Sequence, residues 1–320
     1  MNPADTPKRV CVLGASGRLG SAIVKHLSCS GFQVRAASRN PSAAARSIRS
    51  GDRVQWVALD VGSLDQLREV IRGCDATVFA IGAKIPCYAS DSLSVAEFQR
   101  VNVELLSRAA QASLLEGNGP FVHLGSLFSL GIIQDGWISS KTKPNPKSPF
   151  EISEHDGECK ILHRITNDGL NARILRLPPI VDGGRPGGLL SMLAIAWQSR
   201  KYEAMFLEHR NTWKPMMYLA DALKSVEAAL DSKSPHFICS VSSGAKTLED
   251  FLNFSTTPES KDTSCRPSDT SFRHFLRRYL PSNSRVDLRQ ANDKLRLNLA
   301  SIARGDCSPD SIASPRKQTS

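Results

Sequence analysis

The segment Val10-Cys11-Val12-Leu13-Gly14-Ala15-Ser16-Gly17-Arg18-Leu19-Gly20 restricts what this chain can fold into more than any other. A short apolar run enters glycines spaced GxxGxxG, and a helical stretch follows. Glycine permits the tight turn and lets main-chain N–H groups approach an anion, whose charge then sits at the positive end of the next helix. Strand, glycine turn and helix in that order form the context a dinucleotide pyrophosphate requires. Gly14, Ser16, Gly17, Arg18, Leu19 and Gly20 are therefore the first candidate ligand-binding residues.

The rest of the chain to about Arg176 repeats the alternation of β-rich and helical runs. Strands are expected at Arg9–Leu13, Gln33–Ala37, Val54–Leu59, Ala76–Ile81, Phe121–Leu124 and Ala172–Leu177. Helices are expected near Leu19–Leu27, Ser42–Ile48, Leu64–Ile71, Val95–Leu115 and Pro149–Asn167. This order predicts an α/β fold, a Rossmann-type parallel sheet doubly wound by helices. At 320 residues there is also room for a smaller unit. Beyond Pro178 the pattern is less regular, with helices at Leu189–Ser199 and Asp221–Leu230, strands at Trp213–Met217 and His236–Val241, and a short helix from Thr247. The expected division is a dinucleotide-binding domain over 8–180, an interleaved C-terminal substrate subdomain over 181–254, and linker, short helices and tail over 255–320. Within that last part Ser255–Ser271 reads as a linker, Phe272–Leu280 and Val286–Leu299 as helices, and Gly305–Ser320 as a disordered tail.

Composition narrows the partners. With 41% hydrophobic and 22% charged residues, disordered and collagen-like chains are excluded. The formal charge of +10 suits an anionic ligand, but the basic residues are spread along the chain and read mostly as a solvated surface. No helix-turn-helix, zinc or RNA-binding signature accompanies Arg273, Arg277 and Arg278, so nucleic acid is not an expected partner. The eight cysteines form no CxxC pair and no Cys/His ligand spacing, which predicts free thiols in a reducing compartment and no metal. No apolar run approaches the ~18 residues of a membrane span, and Met1 to Lys8 lacks a secretory signal, so a cytoplasmic location is expected.

At the end of the second predicted strand, where an acid commonly binds the ribose 2′-hydroxyl of NAD, this chain has Ser38-Arg39. Arginine there pairs with a 2′-phosphate, so NADP(H) is expected in preference to NAD(H). Asp60-Val61 closes the third strand, where the carboxylate either accepts from the adenine amine or caps the next helix.

With these residues the chain resembles an extended short-chain dehydrogenase/reductase of the NAD-dependent epimerase/dehydratase group over residues 8 to 254. The resemblance is carried by Gly14 through Gly20, Asp60-Val61, Ala80-Ile81-Gly82-Ala83, Val101-Asn102-Val103, and His123-Leu124-Gly125-Ser126 with Gly131. It continues in Leu175-Arg176-Leu177-Pro178-Pro179-Ile180-Val181 and Met217-Tyr218-Leu219-Ala220-Asp221-Ala222. It implies cofactor contacts from Ile81, Gly82, Ala83, Asn102, Pro178 and Ile180, a small-molecule substrate, and a homodimer through the fourth and fifth helices. Asp182-Gly183-Gly184-Arg185 resembles the family's turn after the sixth strand, which makes Arg185 a candidate for an anionic substrate group.

The family's chemistry uses a Ser or Thr after the fifth strand and a Tyr-x-x-x-Lys on the next helix. Ser126 fits the first role. The helix starts at Ser148-Pro149-Phe150-Glu151, with a serine N-cap, proline at the first position and a glutamate completing a capping box. Aligned from that start, Phe150 stands where the tyrosine belongs and Glu154 where the lysine belongs, with Ser153 and Glu158 matching the family pattern. A competing alignment puts Asp156 and Lys160 in the two roles; the first preserves the helix start. A phenyl ring has no proton to give, and a carboxylate raises a neighbouring acid's pKa. Glu154 remains able to bond ribose hydroxyls, so cofactor binding is expected to outlast catalysis. The alternative is an active NADP-dependent reductase, epimerase or dehydratase in which Ser126 works with a relocated acid, Tyr88 or His155. A dinucleotide-sensing regulator is the third reading.

Overall fold

Alternating side chains of β1 (Arg9–Leu13) are buried on both faces of a sheet: Val10 and Val12 on one, Cys11 and Leu13 on the other. A strand buried on both sides belongs at the centre of a parallel sheet covered by helices. The structure, a computed structural model, describes residues 9–47, 52–83, 86–117, 119–182, 189–255 and 269–297. Its main sheet has seven parallel strands. With β1 these are β2 (Gln33–Ser38), β3 (Val54–Ala58), β4 (Ala76–Phe79), β5 (Phe121–Ser126), β7 (Ala172–Leu177) and β10 (Phe237–Ser240), in the order β10-β7-β5-β4-β1-β2-β3. From β1 the chain winds to one edge through β2 and β3, and to the other through β4, β5, β7 and β10. The reversal lies between β1 and β4, where parallel α/β sheets open a crevice beyond their carboxyl ends.

Helices cover both faces. Ile23, Val24 and Leu27 of α1 (Arg18–Cys29) lie on one face with Ala222, Val226 and Leu230 of α9 (Leu219–Asp231). On the other lie Leu67, Val70 and Ile71 of α3 (Leu64–Ile71), Leu106 and Ala109 of α5 (Leu106–Leu115), and Ile161 of α6 (Pro149–Asp168). The remaining helices are α2 (Pro41–Ser47), α4 (Ser92–Phe98), α7 (Leu189–Gln198), α8 (Glu203–Glu208), α10 (Leu248–Ser255), α11 (Asp269–Tyr279) and α12 (Arg289–Leu295). Among the described residues no helix is long and apolar enough to cross a membrane.

The helix expected over Val95–Leu115 is not uniform: a π-helical turn at Gln99–Leu105 joins α4 to α5. The turn widens where α6 crosses it, because Gly157 lies so close to the Asn102 carbonyl that a Cβ there would overlap it. The helix expected over Val286–Leu299 is also corrected. Val286 ends a strand, β12 (Asn283–Val286), which pairs in parallel with β6 (Asp135–Ile138), and α12 begins only at Arg289. Ser284 and Val286 are buried while Asn283 and Arg285 are not, a period of two that a helix cannot satisfy. A separate three-stranded sheet is formed by β8 (Ile180–Val181), β9 (Trp213–Tyr218) and β11 (Gly244–Thr247).

One buried lysine fastens the C-terminal segment, its ammonium pulled down to about 7 by burial. Lys214 of β9 is fully buried, and its Nζ donates to the Tyr279 and Leu280 carbonyls at 3.0 Å each, to the Ser282 carbonyl, and to Ser282 Oγ at 3.1 Å. It therefore caps the carboxyl end of α11. Phe272, Phe275, Leu276 and Tyr279 of α11, spaced as one helical stripe, are buried against Tyr88, Tyr202 and Phe206. The predicted tail Gly305–Ser320 and most of the predicted linker lie outside the described residues.

Candidate active site

The glycine loop sits at the reversal point. Gly14 has φ +84°, and a Cβ there would lie 2.8 Å from Ile81 Cγ1 and 2.9 Å from the Ala80 carbonyl. A Cβ on Gly20 would overlap the Gly14 carbonyl, so the first turn of α1 packs directly on the loop. Gly17 is the N-cap of α1, with no side-chain cap and no acid in the first turn. A helix start of this kind offers its first-turn N–H groups and positive dipole end to an anion. Ser16 and Arg18 are exposed there, and the Arg18 guanidinium is 3.8 Å from Asp182.

Along the crevice from this loop, Ser38 ends β2 with its hydroxyl buried and without a partner among the described residues, and Arg39 is exposed beside it. Asp60 Oδ1 accepts from the Gly62 N–H at 2.9 Å, while the cap of α3 is Ser63. The carboxylate therefore holds its own turn rather than the helix. Glu97 and Arg100 join this end, which the sequence reading had missed. Their side chains form paired 2.7 Å hydrogen bonds, and Glu97 is held below the usual carboxylate range first by that bond and then by the fields of Arg100 and Arg39.

At the other end, Ser126 finishes β5 and caps a 3₁₀ turn at Leu127–Leu130, its Oγ accepting from the Phe128 N–H at 3.1 Å. The buried stripe of α6 carries Ser153, Gly157, Glu158 and Ile161; Phe150, Glu154 and Asp156 are half-buried and Lys160 is exposed. Phe150 lies between two rings at steep angles, Phe98 at 5.4 Å and Phe128 at 5.9 Å. Ser153 Oγ donates to the Phe150 carbonyl at 2.8 Å and accepts from Asn102 Nδ2 at 3.0 Å.

Two carboxylates one turn apart on α6 differ sharply. Glu158 accepts from Ser129 Oγ at 2.6 Å and from Arg176 Nε and Nη2 at 3.0 and 2.7 Å. Gly125 makes room for it: a Cβ there would lie 3.6 Å from Glu158 Oε1 and 3.2 Å from His123 Nε2. Among the described residues no cation pairs with Glu154. Burial, reinforced by the Glu158 charge, pushes its carboxyl up to about 8 against a main-chain hydrogen bond from Ser126. Buried His123 is pulled down to about 4 by burial and is neutral. Glu158 was visible in the sequence, but Ser129 was not. Its one signal was spacing, three residues after Ser126, and Arg176 showed as a charge inside an apolar strand.

The other predicted positions scatter. Ile81, Gly82 and Ala83 follow β4, Val61 packs behind Asp60, and Pro178 and Ile180 follow β7 on the crevice side. Tyr88 is buried, its ring 4.9 Å from Phe272 of α11. His155 turns along α6, with Nε2 3.6 Å from Cys159 Sγ. Arg185 lies outside the described residues.

The model of the NAD dependent epimerase/dehydratase family matches residues 10–238. An uncharacterised protein of Schizosaccharomyces pombe is 24% identical over 226 residues, covering 71% of this chain and 72% of that one. The dTDP-6-deoxy-L-talose 4-dehydrogenase (NAD(P)(+)) of Kitasatospora kifunensis is 24% identical over 262 residues, 76% of each chain. Among solved structures, a tyrosine-to-phenylalanine mutant of the UDP-glucuronic acid 4-epimerase from Bacillus cereus, in complex with UDP-4-deoxy-4-fluoro-glucuronic acid and NAD, has a TM-score of 0.67 at 17% identity. That likeness covers 91% of this chain and 95% of the other, and is one of fold.

Proposed function

The chain belongs to the NAD dependent epimerase/dehydratase family, and we propose that it binds a nicotinamide dinucleotide across the carboxyl ends of β1, β2, β4 and β5 while lacking the family's phenol and ammonium proton relay. Such a cofactor, when bound, supplies or accepts the hydride of a carbonyl–alcohol conversion. Gly14, Ser16, Gly17, Arg18, Leu19 and Gly20 hold the pyrophosphate on the α1 N-terminus. Asp60 and Val61 take the adenine, Ile81, Gly82, Ala83, Asn102, Pro178 and Ile180 line the remainder, and Glu154 bonds the nicotinamide ribose. NADP is preferred because exposed Arg39 offers a cation for a 2′-phosphate. The substrate is a small carbonyl, alcohol or sugar-nucleotide compound.

The observations that support this reading are a glycine loop with no space for a Cβ at Gly14 and an α6 face bearing Phe150 and Glu154, where the family resemblance puts the proton-transfer pair. The epimerase mutant that binds NAD and a substrate analogue with phenylalanine in place of a tyrosine supports separating binding from proton transfer. The test is titration of NADPH and NADH into wild type and the Phe150→Tyr/Glu154→Lys double variant, followed by a carbonyl-substrate screen. Wild type is expected to bind NADPH more tightly than NADH with little turnover, and the double variant to gain turnover. Wild-type turnover at ordinary enzyme rates would overturn the loss of the relay.

A second reading is favoured by Glu154 itself. A carboxyl still protonated near neutral pH has a proton to give, so Glu154 beside Ser126 could serve an active reductase in place of the phenol. That reading requires Glu154→Gln to abolish a wild-type turnover while leaving NADPH affinity nearly intact.

A further inference from the structure

We infer that the amino end of the sheet, opposite the glycine loop, holds a second anion site for a small oligophosphate. Arg9, Arg35 and Arg53 open together onto a cavity of about 280 Å³ walled also by Gln33, Asp52 and Gln55. Strand pairing assembles it: Arg9 stands opposite Gln33, Arg35 opposite Gln55, and Val34 opposite Val54. The five residues of β1 separate it from the glycine loop by roughly 16 Å at ~3.3 Å per residue.

Among the described residues the guanidiniums are pinned by uncharged acceptors. Arg35 Nη1 donates to the Val70 and Arg72 carbonyls at 2.8 Å each, and its Nε to Gln55 Oε1 at 3.4 Å. Arg9 donates to the Gly73 carbonyl at 3.4 Å and to Gln33 Oε1 at 3.1 Å, and Arg53 to the Gly31 carbonyl at 2.8 Å. All these acceptors are uncharged. The neighbouring acids point elsewhere: Glu116 is taken by Arg68 and Arg72, and Asp75 accepts the Arg9 main-chain N–H at 2.8 Å. Three cations therefore face one wall carboxylate, Asp52. Planar guanidiniums fixed in place lose little freedom on gripping phosphate oxygens, which they meet two at a time. The cavity has the size for two linked phosphates, and the site is independent of the cofactor.

The experiment is isothermal titration of the full chain with inorganic pyrophosphate at low salt, with and without NADPH. Wild type is expected to take up one pyrophosphate that NADPH does not displace. Arg53→Gln, at an exposed position, is expected to weaken it at least tenfold, as is Arg35→Gln, while Asp52→Asn tightens it severalfold. NADPH affinity should stay within about twofold in Arg53→Gln, since the loop is remote. Three outcomes overturn the site: no uptake by wild type, displacement by NADPH, or equal affinity in wild type and Arg53→Gln.

Discussion

Glu154 and Glu158 sit one turn apart on α6, yet among the described residues only Glu158 is paired with a cation. Arg176 and Ser129 pair with Glu158, while burial first and the Glu158 charge second push the Glu154 carboxyl up. One side chain is structural, and it adds to what burial does to the acidity of the other.

Stability should therefore depend on pH through Glu154. Its folded pKa, about 8, lies above its ordinary value of 4.5, so between these limits the folded chain binds more protons than the unfolded one. The sign follows: stability from this group is full below about pH 4.5 and is lost as pH rises through 8. Glu154→Gln should leave stability unchanged at pH 4.5 and raise it by about 2 kcal/mol at pH 8.5, discounting the full shift for partial exposure. Denaturant unfolding at the two pH values measures this, and an equal effect at both would refute it.

Removing the cation from Glu158 should be costly. Arg176→Leu leaves a carboxylate with 2% side-chain exposure unpaired, at a cost of about 3–5 kcal/mol. The double change Glu158→Gln/Arg176→Leu should recover most of it. Chemical denaturation of the three variants reads the coupling; additive losses would mean the pair does not act as one.

The glycines offer a matched comparison. Gly14→Ala, at φ +84° and against Ala80 and Ile81, should cost about 3 kcal/mol and weaken dinucleotide binding at least about tenfold. Gly73→Ala, at φ +71° with nothing within 4 Å, should cost only about 1 kcal/mol and leave binding alone. Melting curves and NADPH titration separate strain from contact.

Lys214→Met should loosen α11 selectively. The substitution keeps the apolar stem but removes the donor shared by the Tyr279, Leu280 and Ser282 carbonyls, of which Tyr279 keeps the Ser282 hydroxyl and Leu280 the Thr212 hydroxyl, a loss of about 1–3 kcal/mol. Hydrogen exchange is expected to speed up in α11 before it does in β1. Uniform acceleration would argue against a local latch.

The elements legible in the sequence were those written in consecutive residues. β1 and its glycine turn, α3 and the capping box at Ser148 and Glu151 each carry their reason locally. The strands β6 and β12 did not show, because their pairing joins Asp135 to Asn283 across nearly half of the chain and neither alone is strongly apolar. The π-turn at Asn102 depends on Gly157 arriving from another helix. At the site, Phe150 and Glu154 were visible as departures from a pattern, but the acidity of Glu154 arises from Glu158, Ser126 and burial together, which no local spacing encodes.

Arg278 donates to Glu151 Oε2 at 2.9 Å across 127 positions, onto the carboxylate that also closes the capping box of α6. The residue that starts the helix bearing Phe150 and Glu154 is thus braced by a segment beyond the family match, which ends at residue 238. A shortened chain fashioned to that match would keep every recognisable motif and still lose the strut that aims them. In this protein the boundary of the recognisable sequence is not the boundary of the working part.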